Sequence, residues 1–243
     1  MKKRLFALVM CLLVVCSVFF GCGNKEQVNE EVKGIVNNIG EWSVEAKQGT
    51  SIYFYGITDL DLNGKYEMIA AENYGTGNFT ESRIFELSDD KKTLTEIEHV
   101  FEGDSQVDLM QDSAFAFKEA ETGRIYYIFS DNVRNGSWET YDTKVAISLY
   151  EGKFIEERLA TKSTIYEGDS EEPTITYYDS KGNEITEEDY KSAVSTRFEG
   201  YEKLSATFCW KGYTFANHDN TINPDNAELA KIFEDSMNKF SVK

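Results

Sequence analysis

The residues of this chain with the clearest chemical potential lie in one short stretch, from Asp59 to Glu67. Oxygen-bearing side chains occupy the alternate positions 59, 61 and 63, a glycine stands at 64, and an acid closes the stretch at 67. Alternate side chains can converge on one centre while Gly64 permits a sharp turn, and Lys65 can add its carbonyl oxygen. Hard cations such as Ca²⁺ bind oxygen sets of this kind. The spacing therefore indicates a cation-binding loop, in which a cation would also relieve the repulsion between neighbouring carboxylates.

The stretch resembles the calcium loop of FG-GAP and VCBS-type repeats, which reads roughly D-x-D-x-N/D-G-x-x-E/D between two strands. The matching residues are ITDLDLNGKYEMIAA, at 57–71. The resemblance implies calcium as the cofactor. It implies ligands from the side chains of Asp59, Asp61, Asn63 and Glu67, and from the backbone of Lys65. Those families usually carry many copies that form a propeller, whereas this chain has one copy, so no propeller is implied.

A second interpretation of the same stretch is a solvated acidic turn, because Asp, Asn and Gly are favoured in turns without any ligand. An EF-hand does not fit, since Ala70 occupies the position that would hold the bidentate glutamate. No helical pattern flanks the loop either. The sequence alone leaves the calcium loop and the acidic turn open.

The N-terminus resembles a bacterial lipoprotein signal. A cationic start at residues 2–4 precedes an apolar run at 5–20, and Gly21 and Cys22 end that run. The resemblance implies that residues 1–21 are removed and that Cys22 receives a diacylglycerol. Its two acyl chains would anchor the protein to the cell membrane on the extracytoplasmic face. Two alternatives remain: ordinary secretory cleavage, and a retained membrane helix, although 16 apolar residues fall short of the roughly 20 that a span needs.

Charge and cysteine content limit the partners of the mature chain. The whole sequence has a formal net charge of −18, and loss of residues 1–21 removes three basic residues and no acidic one, which gives −21. Such a chain repels nucleic acid at long range, so we expect no nucleic-acid partner. Beyond Cys22 only Cys209 remains, so the domain forms no internal disulfide. The length fits one domain, or at most two small ones, and we predict a single domain at 28–243 after a short lipidated tether at 22–27.

Hydrophobic patterning predicts the elements that hold the loop. Apolar residues at helical spacing predict a helix at 28–42. The pattern then changes to strands rich in β-branched and aromatic residues, at 51–57, 66–72, 81–87, 94–101, 113–119, 124–130, 143–150, 153–160 and 174–179. The connections are short, and short turns require antiparallel neighbours. A helix at 187–203, a strand at 207–216 and a helix at 225–240 follow. We predict an α+β fold: an antiparallel β-meander sheet with an N-terminal helix and two C-terminal helices.

Other chemistry-bearing residues give weaker indications. Cys209 would need a base beside it to act as a nucleophile, and the sequence does not place His99 or His218 there. A buried structural thiol in a strand explains it better. Aromatic residues could stack on sugars or simply pack in the sheet; these are Tyr53, Tyr55, Tyr126, Tyr127, Trp138, Tyr141, Tyr177 and Tyr178.

The leading hypothesis is therefore a lipid-anchored extracytoplasmic binding or structural domain, stabilised by calcium, with an unidentified protein or glycan partner. One alternative is a glycan- or solute-binding surface lipoprotein that uses the aromatic residues. Another is a hydrolase whose catalytic carboxylates are hidden among the 43 acidic residues, because carboxylate catalysis leaves no readable spacing.

Overall fold

The structure, a computed structural model, describes residues 23–42, 52–74, 79–101, 105–166, 172–212 and 226–243. The predicted signal segment, Cys22 and His218 lie outside these residues. Within the described part the chain forms four helices and fourteen strands, and it confirms the predicted α+β class built mostly on antiparallel sheet.

The strands, in chain order, are β1 (Ile52–Thr58), β2 (Glu67–Tyr74), β3 (Phe79–Leu87), β4 (Leu94–Glu96), β5 (Glu98–Val100), β6 (Ser113–Lys118), β7 (Ile125–Asn135), β8 (Glu139–Tyr150), β9 (Lys153–Ile165), β10 (Thr174–Asp179), β11 (Glu184–Ile185), β12 (Glu202–Thr207), β13 (Lys211–Gly212) and β14 (Ser241–Val242). They divide between two sheets. The five-stranded sheet has the order β13-β1-β2-β3-β4, and the nine-stranded sheet has the order β11-β10-β9-β8-β7-β6-β12-β14, with β5 beside β9.

The chain passes from one sheet to the other at Ile97, a buried residue between β4 and β5. The segment 94–101 was predicted as one strand, and it forms two. Strand β4 pairs with β3 in antiparallel fashion, whereas β5 pairs with β9 in parallel. A parallel neighbour is possible here because a long stretch of chain, from β6 to β8, separates β5 from β9.

Alternation along the strands builds three apolar clusters. The largest lies between the two sheets and joins residues such as Leu60 and Ile69 to Tyr127 and Phe208. A second covers the other face of the five-stranded sheet, and a third covers the other face of the nine-stranded sheet. Successive residues of a strand point to opposite faces, which is why adjacent residues such as Tyr126 and Tyr127 belong to different clusters.

The helices cover the outer faces of the sheets. They are α1 (Gly23–Asn37), α2 (Ile39–Trp42), α3 (Glu187–Arg197) and α4 (Asn226–Lys239). Helices α1, α2 and α4 contribute Val32, Trp42 and Phe233 to the cluster on the five-stranded sheet. Next to the C-terminal end of α3, Phe198 stacks on Phe117 of the nine-stranded sheet with ring centroids 4.8 Å apart. No helix in the described ranges is long and apolar enough to cross a membrane.

The helix ends differ from the prediction in two places. Helix α1 begins at Gly23, so residues 23–27 of the predicted tether are helical. Helix α3 begins as expected, with a reciprocal capping box between Thr186 and Asp189. It ends at Arg197, well before residue 203, because the chain continues at Glu202 as β12 and pairs with β6. Of the strand predicted at 207–216, residues 213–216 lie outside the described part.

Candidate metal centre

The acidic loop connects β1 and β2, which are antiparallel neighbours in the middle of the five-stranded sheet. The last residue pair of their ladder, next to the loop, is Thr58 and Glu67. Glu67 is therefore the first residue of β2 and lies directly at the end of the loop. The loop backbone turns through left-handed conformations at Leu62, with φ 56°, and at Gly64, with φ 87°. Glycine adopts this conformation without the steric penalty of a side chain, so Gly64 is suited to its position.

Three carboxylates meet at this turn. One oxygen from each of Asp59, Asp61 and Glu67 lies within 4.8 Å of the others. Glu67 is completely buried, and its Oε2 accepts hydrogen bonds from the Leu60 N–H at 2.8 Å and the Thr58 hydroxyl at 3.2 Å. Asp59 accepts a bond from the Gly64 N–H at 3.1 Å. Two further buried oxygens, Oε1 of Glu67 and Oδ1 of Asp59, have no hydrogen-bond partner among the described residues.

The electrostatics of the cluster follow from this burial. Burial raises the pKa of Glu67 well above its usual range, and the negative charges of Asp61 and Asp59 raise it further. Burial also raises the pKa of Asp59, against the hydrogen bond from Gly64. Buried carboxylate oxygens without donors are costly unless a charge or a donor compensates them. A divalent cation would supply that compensation, and oxygen donors are the ligands that calcium takes, so the residues fit the cation that the loop pattern implies.

The other two predicted ligands are placed differently. The Asn63 amide donates to Asp61 Oδ2 at 2.8 Å, and its Oδ1 accepts from the Lys65 N–H at 2.7 Å. A carbonyl oxygen has two lone pairs, so Oδ1 keeps one for a cation. The Lys65 side chain leaves the cluster and its ammonium group pairs with Asp89 at 2.9 Å. Its charge is therefore partly neutralised away from the carboxylates.

Two residues that bear on this site could not be identified from the loop pattern. Leu60 cannot offer a side-chain ligand because it is apolar, and its side chain lies fully buried between the acidic positions 59 and 61. Its carbonyl oxygen accepts a hydrogen bond of 2.7 Å from the hydroxyl of Tyr127, a residue of the nine-stranded sheet. The apolar side chain at position 60 is a local signal that the loop turns inward there. Nothing local identifies Tyr127, which is 67 residues away in sequence.

Two of the residues considered for nucleophilic catalysis, Cys209 and His99, are described by the structure, and they do not meet. Cys209 lies between β12 and β13, outside any strand and half-buried, which corrects its predicted place in a buried strand. His99 lies elsewhere, with its Nε2 2.6 Å from Oε1 of Glu156. Glu156 also accepts from the Val107 N–H, so this pair serves to hold the segment that follows β5.

The carboxylates that line one cavity of the described part have structural partners. This cavity of about 310 Å³ lies between α3 and the strands β9 to β11. Arg197 binds Glu157 through two bonds of 2.7 and 3.0 Å, and Asp189 caps α3. Asp179 accepts three hydrogen bonds from its own turn, at Lys181 and Asn183. The hydrolase alternative therefore gains no support from these three acids.

The aromatic residues divide between core and surface. Tyr53, Tyr55, Tyr126 and Tyr127 are buried in the apolar clusters, as sheet packing predicts. Trp138 is 56% exposed and Tyr166 is 39% exposed. The Tyr166 N–H donates to the Trp138 carbonyl at 2.8 Å, so the two residues are direct neighbours at one end of the β8–β9 pair.

The described sites thus offer one coherent set of ligands, the carboxylates of the β1–β2 loop, and a small exposed aromatic pair. The loop can bind a cation because its oxygens converge, two of them are unsatisfied, and Asn63 and Gly64 at its tip face solvent. Comparison with known protein families, with curated proteins and with solved structures gives no match to this chain.

Proposed function

We propose that this chain is a lipid-anchored extracytoplasmic binding domain whose two-sheet core is stabilised by calcium in the β1–β2 loop. The observation that carries the calcium proposal is the pair of buried, unsatisfied carboxylate oxygens on Asp59 and Glu67. The lipid anchor and the location at the cell membrane rest on the resemblance of residues 1–22 to a lipoprotein signal.

Asp59, Asp61 and Glu67 would hold the ion, with Asn63 and the Lys65 carbonyl completing the oxygen set. The ion would supply positive charge in a loop that joins two central strands, so its effect is on stability. Affinity on the order of 10⁻⁴ to 10⁻³ M is expected for extracellular modules. At a calcium concentration equal to the dissociation constant, the gain in unfolding free energy is about 0.4 kcal/mol, and it grows logarithmically with more calcium.

The experiment is a thermal melting series of the mature chain in chelator and in rising calcium. We expect a modest increase of Tm with calcium in the parent, and no increase in the double variant Asp59→Ala, Asp61→Ala. A matched control is Glu121→Ala, Glu199→Ala, which removes two charges from exposed turns and should keep the calcium response. Equal responses in all three proteins would mean diffuse screening of the negative charge, and the calcium site would be refuted.

The exposed pair Trp138 and Tyr166 favours a second candidate, binding of a glycan. The flat apolar side of a pyranose ring packs on an aromatic face, and aromatic residues left in solvent often mark binding surfaces. We expect the mature protein to be retained on insoluble cellulose or chitin and the Trp138→Ala variant to be released. The control is Phe115→Ala, which removes an aromatic residue that is 59% exposed elsewhere on the nine-stranded sheet. Equal retention of both variants, or no retention of the parent, would refute this candidate.

A further inference from the structure

The Leu60 backbone is held from two directions by residues of different sheets. Its N–H donates to Oε2 of Glu67 at 2.8 Å, within the five-stranded sheet. Its carbonyl accepts from the Tyr127 hydroxyl at 2.7 Å, from the nine-stranded sheet. The two peptide groups concerned are those that join Leu60 to Asp59 and to Asp61. Both acidic neighbours of Leu60 are members of the carboxylate cluster.

The surroundings of the Tyr127 hydroxyl make this bond strong. Tyr127 and Leu60 are both fully buried and belong to the cluster between the sheets. The Tyr127 ring is fixed by an edge-to-face contact with Phe208, at a centroid distance of 5.8 Å. A hydrogen bond in such a low-dielectric region is electrostatically stronger than the same bond in water, and it is costly to leave unmade. Burial raises the pKa of Tyr127, and the charge of Glu67 is the next largest cause.

We propose that Tyr127 is a positioning residue of the calcium site, and that the bond from Tyr127 to Leu60 couples occupancy of the loop to the packing of the two sheets. The inference rests on the proposed calcium function. The Tyr127 hydroxyl fixes the peptide group between Leu60 and Asp61, and thereby holds the Asp61 side chain toward Asp59 and Glu67. Partners that orient metal ligands typically contribute about 10- to 100-fold to metal affinity.

The coupling must act in both directions. If packing of Tyr127 favours the metal-binding arrangement of the loop, then a bound ion must favour the packed arrangement of Tyr127 by the same factor. Calcium should therefore slow the opening of β7, the strand that carries Tyr127, although no ligand of the loop comes from that strand. A role of Tyr127 in packing alone would give β7 only the slowing that calcium gives to every strand that opens by global unfolding.

The test is calcium titration of the mature chain, read as the calcium concentration that equals the dissociation constant, fitted to the logarithmic rise of Tm with calcium. We expect Tyr127→Phe, which keeps the ring and removes the hydroxyl, to raise this concentration by about tenfold. The matched control is Tyr126→Phe, since Tyr126 is also buried but belongs to the cluster on the opposite face. It should titrate like the parent. Equal calcium responses of Tyr127→Phe and the parent would overturn the inference and leave the calcium site intact.

A second measurement covers the case in which Tyr127→Phe fails to fold. Amide hydrogen exchange of β7 is compared in the parent protein, with calcium and with chelator. We expect calcium to slow exchange at Tyr127 and Phe129 by a larger factor than at Tyr177 of β10, which reports the stabilisation of the whole domain. Unchanged exchange in β7, with slower exchange in β1 and β2, would overturn the coupling alone. A parent protein whose Tm does not respond to calcium at all would overturn both this inference and the proposed calcium function.

Discussion

At the scale of single residues, Glu67 is where stability and the proposed calcium site make opposite demands. Its carboxylate is fully buried, one of its oxygens has no hydrogen-bond partner among the described residues, and burial raises its pKa. A buried, unsatisfied carboxylate in this position lowers the stability of the metal-free protein. The same carboxylate would favour binding of a cation. A glutamine there would keep an acceptor for the Leu60 N–H and would present donors to the neighbouring carboxylates.

We therefore expect Glu67→Gln to stabilise the metal-free protein and to abolish its calcium response. The gain should be about 1 kcal/mol or more at neutral pH, since it removes a buried, unsatisfied charge. Urea unfolding in chelator and in calcium measures both effects. A variant that is less stable in chelator and still responds to calcium would contradict the assigned role of Glu67.

Asp131 is a second buried carboxylate, and it lies away from the loop. It is 3% exposed on β7 and accepts a hydrogen bond from the Asp108 N–H at 3.2 Å. Burial raises its pKa to about 6; the charges of Glu156 and Asp108 add to this, whereas the Asp108 N–H and the charge of Arg158 oppose it. The pKa of an aspartate in the unfolded chain is about 3.9, so the folded state binds the carboxyl proton of Asp131 more tightly than the unfolded state does. The stability that Asp131 contributes is present below pH 4 and is lost as the pH rises through 6.

The Asp131→Asn variant should therefore be more stable than the parent above pH 6, and the difference should disappear near pH 4. The upper limit of the gain is about 3 kcal/mol, which corresponds to a pKa raised by two. Urea unfolding at pH 4, 6 and 8 measures it. The control is Asp112→Asn, the same substitution at an exposed residue. If Asp131→Asn is destabilised equally at all three pH values, the hydrogen bond from the Asp108 N–H, and not the raised pKa, determines the effect of Asp131 on stability.

At the scale of elements, the close contact between α1 and the β3–β4 turn requires a glycine at position 34. The helical pattern of the sequence does not reveal this requirement. A Cβ atom at position 34 would collide with the carbonyl oxygen of Lys91. The side chain of Asn38, one helical turn later, donates to the Lys92 carbonyl at 2.8 Å. Gly34 therefore lowers the helix propensity of α1 and in return allows the turn to dock directly on the helix.

We expect Gly34→Ala to destabilise the protein by about 1–3 kcal/mol through overpacking, although alanine is favoured over glycine in a helix by about 1 kcal/mol. Gly40→Ala is the matched control, because a Cβ atom at position 40 has no neighbour within 4 Å. It should be neutral or stabilising. Thermal melting compares the two, and a stabilising Gly34→Ala would contradict the close contact.

Elements were predicted from sequence to the extent that local periodicity determines them. Alternation identified most strands, and the helix predicted at 187–203 begins where α3 begins, directly after its N-cap Thr186. The division into two sheets at Ile97 was not predicted, because it depends on which distant strands accept β4 and β5 as partners. The same limit applies to the loop site. Its three carboxylates lie together within the stretch that the spacing singled out, but the contact from Tyr127 depends on how the sheets face each other.

At the scale of the whole molecule, the layers run from α1 and α4 through the five-stranded sheet and the nine-stranded sheet to Phe198 beside α3. The β1–β2 loop lies where the two sheets meet, since Leu60 belongs to the cluster between them. A cation in this loop would therefore act on the largest apolar cluster of the described chain. For this reason we propose a role in stability for a cation at the surface end of a hairpin.

The net charge of the whole molecule bears on how it would be held at a membrane. A mature chain with a formal charge of −21 is repelled by anionic headgroups, so its surface supplies no attraction of its own. The lipid that we propose on Cys22, which is followed directly by α1 at Gly23, would then supply the attachment. We expect Cys22→Ser, expressed as the full chain in a bacterium that processes lipoproteins, to leave the membrane fraction or to keep its signal uncut. The released form should stay soluble at low and high salt.

Cys209→Ser, the matched change at the other cysteine of the mature chain, should fractionate with membranes like the parent. If Cys22→Ser is processed and fractionates as the parent does, the lipid anchor is refuted and attachment must come from the apolar segment itself.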